Sequence, residues 1–181
     1  KRSNCLKNDD IYLTGNLGDS SVGLNILNKK IDLSSKIKDY FIQKYYKPSL
    51  AYGFHRDLYK FANSSMDVSD GLLIDLKKLT SNKNLSFIVD YNLLPKSPNF
   101  KKLINSGKII ADDYLFKGDE YQILFTAKKK YRKLIDKSSK KWSQKITRIG
   151  YLINNNGSNY MKFNDQLKKI TNYQGYIHNY R

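Results

Sequence analysis

Two aspartates and a serine stand close together in the segment MDVSDGL at residues 66–72. Asp67 and Asp70 are three residues apart with Ser69 between them, directly before a stretch with helical periodicity. Hard cations such as Mg²⁺ take carboxylate oxygens, often completed by phosphate oxygens and water, and free N–H groups at a helix start attract anions. The segment is therefore a candidate metal and phosphate site. On spacing alone, a helix cap with Gly71 as a turn residue is the commoner explanation.

A second candidate is the acidic pair Asp119 and Glu120 in KGDEYQILFT, at residues 117–126. These carboxylates could receive a cationic or amino-bearing substrate. Gly118, just before them, would let either a ligand or a second backbone approach closely. A polar turn that opens a strand explains the same residues without any ligand.

The third segment, TGNLGDSSVGL at residues 14–24, has the glycine content of a phosphate-binding loop. It matches neither the P-loop pattern nor the G-x-G-x-x-G pattern. We interpret it as a strand, a turn and a helix with glycines required for packing. The two histidines, His55 and His178, have no metal-ligand spacing. Ser69 lacks a G-x-S-x-G context, so no residue is assigned as a catalytic nucleophile, acid or base.

Composition limits the classes of protein that the chain can represent. The 181 residues carry a net charge of +17, from 33 Lys and Arg against 16 Asp and Glu. The lysines are scattered and nothing resembles a nucleic-acid motif, so we interpret the charge as solvated surface and do not expect nucleic acid as a partner. A non-catalytic polyanion-binding module remains an alternative. The single Cys5 excludes an internal disulfide, and no apolar run reaches the roughly 20 residues of a membrane helix.

Hydrophobic periodicity and turn residues predict the elements that position these segments. Strands are expected at residues 11–14, 86–91, 121–127 and 145–153. Helices are expected at residues 33–46, 50–61, 70–79 and 129–140, with one that follows a capped turn at residues 18–20 and ends near residue 28, and a short one ending at Gly107. The run of Asn and Gly at residues 154–157 predicts a hairpin turn. This irregular alternation predicts one α+β domain with helices covering a mixed β-sheet.

Taken together, the three motifs resemble those of one family, the thiamine-monophosphate kinases. KRS at residues 1–3, ITRIG at 146–150 and GYIH at 175–178 resemble further segments of its C-terminal half. The resemblance spans nearly the whole chain. It implies that residues 1–181 form the C-terminal domain of such a kinase, with the fold of the aminoimidazole ribonucleotide synthase superfamily, and that an N-terminal ATP-binding domain is absent from this chain.

The resemblance implies a phosphotransferase that converts ATP and thiamine phosphate to ADP and thiamine diphosphate with Mg²⁺. It also implies a cytoplasmic homodimer for the complete protein, without membrane attachment. The positions that match the family's motifs imply roles as follows: Asp67 and Asp70 for Mg²⁺, Arg2 and Ser69 for ATP, and Asp119 and Tyr176 for thiamine phosphate.

Two departures from the family pattern bear on the substrate. Lys117 stands where the family has glycine, and Asp119 and Glu120 invert the usual order of the acidic pair. An alternative is therefore a kinase of the same fold that acts on another small phosphate or an amine. Because half of the family's active site is missing, we expect the isolated chain to be inactive.

Overall fold

A computed structural model describes residues 4–173 of the chain. In this part the strands are β1 Asp10–Thr14, β2 Ala62–Asp67, β3 Leu85–Asp90, β4 Ile123–Ala127, β5 Ile146–Asn154, β6 Tyr160–Phe163 and β7 Gln166–Lys169. They form one sheet in the order β2-β4-β1-β5-β3-β6-β7. Neighbouring strands are antiparallel except β3 and β6, which are parallel. The α+β class with a mixed sheet is confirmed.

The helices are α1 Asp19–Leu27, α2 Ser35–Tyr46, α3 His55–Leu58, α4 Leu72–Ser81, α5 Pro98–Asn105, α6 Asp112–Leu115 and α7 Arg132–Lys141. Short 3-10 turns occur at Tyr91–Leu93 and Lys129–Tyr131. Between residues 4 and 173, none of the helices has the length and apolar character needed to cross a bilayer.

The sheet separates two apolar cores. Ile11 and Leu13 of β1 lie in the larger core, which α1, α2, α4 and α5 cover. Tyr12, between them, lies in a smaller core under α3 and α7, because successive strand residues point to opposite faces. Its ring stacks on that of Phe125 in β4, with ring centroids 5.1 Å apart. The larger core supports the helices that precede and follow the candidate motifs.

The predicted hairpin at residues 154–157 is wrong. Strands β5 and β6 are not neighbours, because β3 lies between them and pairs with both. The tight hairpin joins β6 to β7 instead, with Asn164 and Asp165 between the strands. Asn164 has a φ of 52°, a left-handed conformation that asparagine tolerates well in such turns.

The predicted helix at residues 50–61 is also largely wrong, since only α3 is helical there. Gly53 interrupts the segment with a φ of +84° and lies against the Trp142 ring, where an added Cβ would be 2.6 Å from a ring carbon. The following strand β2 was not predicted, because its sequence ANSSMD has few strand-favouring residues. Pairing with β4 along one edge of the sheet holds β2 in place.

A buried carboxylate on β1 predicts how stability depends on pH. The Asp10 side chain is fully buried and accepts hydrogen bonds from Arg132 at 2.7 and 2.8 Å and from Arg148 at 3.3 Å. Burial alone would raise the pKa of Asp10, but the two guanidinium groups outweigh it and hold that pKa below the usual aspartate value. The ionised carboxylate therefore stabilises the fold above about pH 4, and this contribution is lost as pH falls through the lower folded pKa.

We expect Asp10→Asn to lower the free energy of unfolding by about 1–3 kcal/mol near neutral pH. The difference from wild type should shrink below about pH 4, as the wild-type carboxyl becomes protonated in both states. Urea unfolding at a series of pH values measures it. A difference that is constant down to about pH 2 would contradict the ion-pair explanation.

Candidate functional site

The pairing of β2 with β4 continues beyond both strands and brings two of the three motifs together. The backbone N–H of Val68 donates to the carbonyl of Gln122, and that of Tyr121 donates to the carbonyl of Val68, both at 2.9 Å. The N–H of Asp119 then donates to the carbonyl of Ser69, also at 2.9 Å. MDVSDGL and KGDEYQILFT therefore run side by side at one edge of the sheet.

Gly118 is the closest point of this contact. A Cβ atom at Gly118 would lie 2.1 Å from the carbonyl oxygen of Ser69 and 3.1 Å from the carbonyl carbon of Asp70. Of the two explanations that the sequence left open for this glycine, a ligand or a second backbone, the structure shows the second backbone.

We expect Gly118→Ala to destabilise the protein by about 1–3 kcal/mol, because backbone must move to admit the methyl group. Metal affinity should fall with it, since the displaced residues carry the proposed ligands. Urea unfolding and Mn²⁺ titration measure the two effects. Gly107→Ala is the comparison variant, because its Cβ meets nothing within 4 Å, so that only its left-handed backbone opposes the change and metal affinity should stay as in wild type. Wild-type stability and metal affinity of Gly118→Ala would argue against a tight contact at Gly118.

A buried aspartate of α4 fixes the loop that carries the proposed metal ligands. The Oδ2 atom of Asp75 accepts hydrogen bonds from the backbone N–H groups of Ser69, Asp70 and Gly71, at 3.0, 3.0 and 3.2 Å. Helix α4 begins at Leu72 rather than at residue 70 as predicted, and its N-cap Gly71 makes no side-chain cap hydrogen bond. The N-cap position itself is occupied by Gly71, and Asp75 from inside the helix holds the loop that precedes it.

The two proposed metal ligands have different surroundings. Asp67 is the last residue of β2 and is exposed. The side chain of Asp70 is 18% exposed, and its Oδ2 forms an ion pair with Lys78 Nζ. The same ammonium lies 3.1 Å from Oδ1 of Asp75. Although partial burial opposes the charged form, the carboxylates of Asp70 and Asp75 raise the pKa of Lys78.

The donor set fits a Mg²⁺ ion that takes part of its coordination shell from elsewhere. Within residues 4–173, no group of three or more His, Cys, Asp and Glu side chains is arranged to hold a metal. Asp67 and Asp70 nevertheless offer hard oxygen donors, and one of them already holds a cation, the ammonium of Lys78. Mg²⁺ commonly binds through one or two protein carboxylates plus substrate phosphates and water.

The two members of the acidic pair point in different directions. Glu120 is 3% exposed, and its Oε1 accepts a hydrogen bond from the backbone N–H of Gly18 at 2.7 Å. Burial, followed by the nearby charge of Asp19, raises the pKa of Glu120 well above the usual value. Asp119 is only partly buried. Of this pair, Asp119 alone is placed to meet a ligand, while Glu120 ties the second motif to the start of α1.

The glycines of the third motif serve packing, as predicted. Added Cβ atoms at Gly15, Gly18 and Gly23 would lie 2.2 to 2.4 Å from neighbouring atoms. The N–H of Gly18 is already bonded to Glu120. A phosphate cradle built on that N–H is therefore not what this segment provides.

A cleft of about 430 Å³ is lined by residues of the second and third motifs. Its lining includes Ser20, Asn25, Tyr114, Lys117 and Asp119. This volume lies in the usual range for small-molecule sites. Lys117 and Asp119 place opposite charges on the lining, so the departure from the family pattern at Lys117 falls on the cleft itself.

Two of the expected site residues, Arg2 and Tyr176, lie outside the described residues. Two others that the structure brings to the loop, Asp75 and Lys78, were missed at the level of sequence. A signal for Asp75 was present, because it stands within the apolar stripe of Leu72, Leu76 and Leu79. A carboxylate in such a stripe needs hydrogen-bond donors, and the loop before the helix supplies them.

The similar sequences and the similar solved structures include members of the same family. No protein-family model matches the chain. The thiamine-monophosphate kinase of Buchnera aphidicola subsp. Schizaphis graminum is 38% identical over 156 residues, which are 83% of this chain and 47% of that protein. The crystal structure of the enzyme from Stenotrophomonas maltophilia K279a has a TM-score of 0.77 at 26% identity, over 85% of this chain and 50% of that one.

The structure of AaThiL complexed with AMPPCP and TMP is similar as well, with a TM-score of 0.75 and 27% identity over 93% of this chain and 53% of that one. The chain thus spans about half the length of the relatives that it matches. Sequence and fold agree on the same relatives, and the described motifs are the ones that carried the resemblance. The chain therefore belongs to the thiamine-monophosphate kinase family.

Proposed function

We propose that the complete protein containing this chain transfers the terminal phosphoryl group of ATP to thiamine phosphate, giving ADP and thiamine diphosphate. The observation that carries the proposal is the side-by-side placement of residues 66–72 and 117–126, the second of which lines the cleft with Lys117, Gly118 and Asp119. The names of the relatives support it, as does AaThiL, a structural neighbour complexed with AMPPCP and TMP.

Asp67 and Asp70 would hold Mg²⁺, which when bound neutralises charge on the phosphate oxygens. Ser69 would contact ATP from the loop that Asp75 holds in place. Asp119 would contact thiamine phosphate from the neighbouring segment. Phosphoryl transfer depends mainly on positioning and electrostatic stabilisation, so a loop fixed by several hydrogen bonds suits this role.

The remaining parts of the proposal come from the family resemblance. They are the contacts of Arg2 with ATP and of Tyr176 with thiamine phosphate, the limits of the domain at residues 1–181, an N-terminal ATP-binding domain elsewhere in the protein, and a cytoplasmic homodimer. The same resemblance leads us to expect no activity from this chain by itself.

Acceptor specificity tests the proposal against its alternatives. The complete protein is assayed with ATP, Mg²⁺ and either thiamine phosphate or other small phosphates and amines, and product formation is followed by chromatography. We expect the highest kcat/KM with thiamine phosphate. A higher value with another acceptor would instead favour a same-fold kinase whose cleft Lys117 has altered. No transfer to any acceptor, with tight and steeply salt-dependent DNA or RNA binding, would favour the polyanion-binding module.

A further inference from the structure

Lys78 links the proposed metal loop to the helix behind it. It lies one turn after Asp75 on α4, and its ammonium reaches Oδ2 of Asp70 and Oδ1 of Asp75. Its side chain is 47% exposed, whereas that of Asp75 is fully buried. One flexible cation is thus shared between a carboxylate in the interior and a carboxylate proposed to bind metal.

The two carboxylates differ in how freely they can exchange this cation. Asp75 is fixed by three backbone N–H groups, and its Oδ1 lies 3.1 Å from the Lys78 ammonium. Asp70 lies at the partly exposed end of the pair. A divalent cation that binds Oδ2 of Asp70 would displace Lys78 from that oxygen, and Lys78 can leave it without leaving Asp75.

We propose that Lys78 competes with the divalent cation for Asp70 and so lowers the affinity of the loop for Mg²⁺. The inference rests on the proposed function, because it takes Asp70 to be a metal ligand. Without Lys78, the loop would lose the positive charge that lies against Asp70 and Asp75. Its attraction for a divalent cation would then rise, because opposite charges a few ångströms apart interact measurably even near the surface.

The test is Mn²⁺ binding to the complete protein without nucleotide, with free Mn²⁺ measured by electron paramagnetic resonance. Mn²⁺ stands in for Mg²⁺ because both prefer oxygen ligands. We expect Lys78→Met to tighten Mn²⁺ binding about three- to tenfold. This change in affinity corresponds to the interaction free energy of a partly exposed ion pair. Lys78→Arg, which keeps the cation, should bind as wild type does.

Lys77→Met is the matched control, because it removes the same charge from the adjacent position of the same helix. The Lys77 ammonium lies 4.7 Å from the centre of the Tyr173 ring, away from the pair described here. If both methionine variants tighten binding equally, overall charge explains the effect and the competition is refuted. Thermal unfolding verifies that the variants fold, and Lys78→Gln replaces Lys78→Met should the latter unfold.

The outcomes separate this inference from the proposed function. Wild type that binds Mn²⁺ no better than Asp70→Asn would refute the competition, while the acceptor assay tests the proposed function separately. Wild type that binds it in an Asp70-dependent way, with unchanged or weaker binding by Lys78→Met, would refute only the role of Lys78. Tighter binding by Lys78→Met alone would support it.

Discussion

Replacing Asp70 with Asn in the complete protein is expected to reduce Mg²⁺-dependent formation of thiamine diphosphate at least about a hundredfold. A group that stabilises charge in the transition state is typically worth this much or more. The fold should remain intact, since the ion pair of Asp70 with Lys78 is partly exposed and such pairs contribute little to stability. Steady-state kinetics and thermal unfolding of the same sample measure the two effects.

Asp165→Asn is the control for this substitution. Asp165 lies in the turn between β6 and β7, and its side chain is fully exposed. Removing its charge should leave the rate within about twofold of wild type, as for a surface change away from a site. Full activity of Asp70→Asn would contradict a role for this carboxylate in holding the metal.

Replacing Asp75 with Ala is expected to lower the free energy of unfolding by about 3–5 kcal/mol. The substitution removes the acceptor of three N–H groups and the buried partner of Lys78. Leaving a buried polar group without a partner costs about 1–3 kcal/mol. Because the loop can relax, the total cost for the three N–H groups should be smaller than three times this value. Urea unfolding measures the change, and the rate of phosphoryl transfer should fall with it because the loop loses its fixed shape.

Asp75→Asn separates geometry from charge. The amide oxygen of asparagine can still accept hydrogen bonds from the loop, so a smaller loss of about 1–2 kcal/mol is expected. If Asp75→Ala were as stable as wild type, the loop would not depend on this residue. If the two variants were equally destabilised, the negative charge rather than the acceptor would hold the loop.

The parts of the fold that could be predicted are those whose signal is local. The apolar spacing of α4 and the run of strand-favouring residues in β3 and β4 placed these elements within a few residues. The polar edge strand β2 was missed because it depends on pairing with β4 rather than on its own residues. The hairpin prediction at residues 154–157 was wrong because β3 pairs with both β5 and β6. A local turn motif cannot predict this long-range pairing.

The candidate site divides in the same way. Residue types and spacing identified Asp67, Ser69 and Asp70 as a possible metal and phosphate site. They left Gly118 undecided, because only the fold shows that the atom facing it is the carbonyl oxygen of Ser69. The separate orientations of Asp119 and Glu120 follow from burial and could not be read from adjacent positions in the sequence.

The most direct test of the proposed metal site is a crystal structure of the complete protein with Mn²⁺, a non-hydrolysable ATP analogue and thiamine phosphate. Anomalous scattering locates Mn²⁺ independently of the protein atoms. We predict a Mn²⁺ peak about 2.0–2.3 Å from carboxylate oxygens of both Asp67 and Asp70, the usual range for oxygen ligands of such ions. Mn²⁺ bound beside the nucleotide but in contact with neither carboxylate would contradict the assignment of this loop as a metal site.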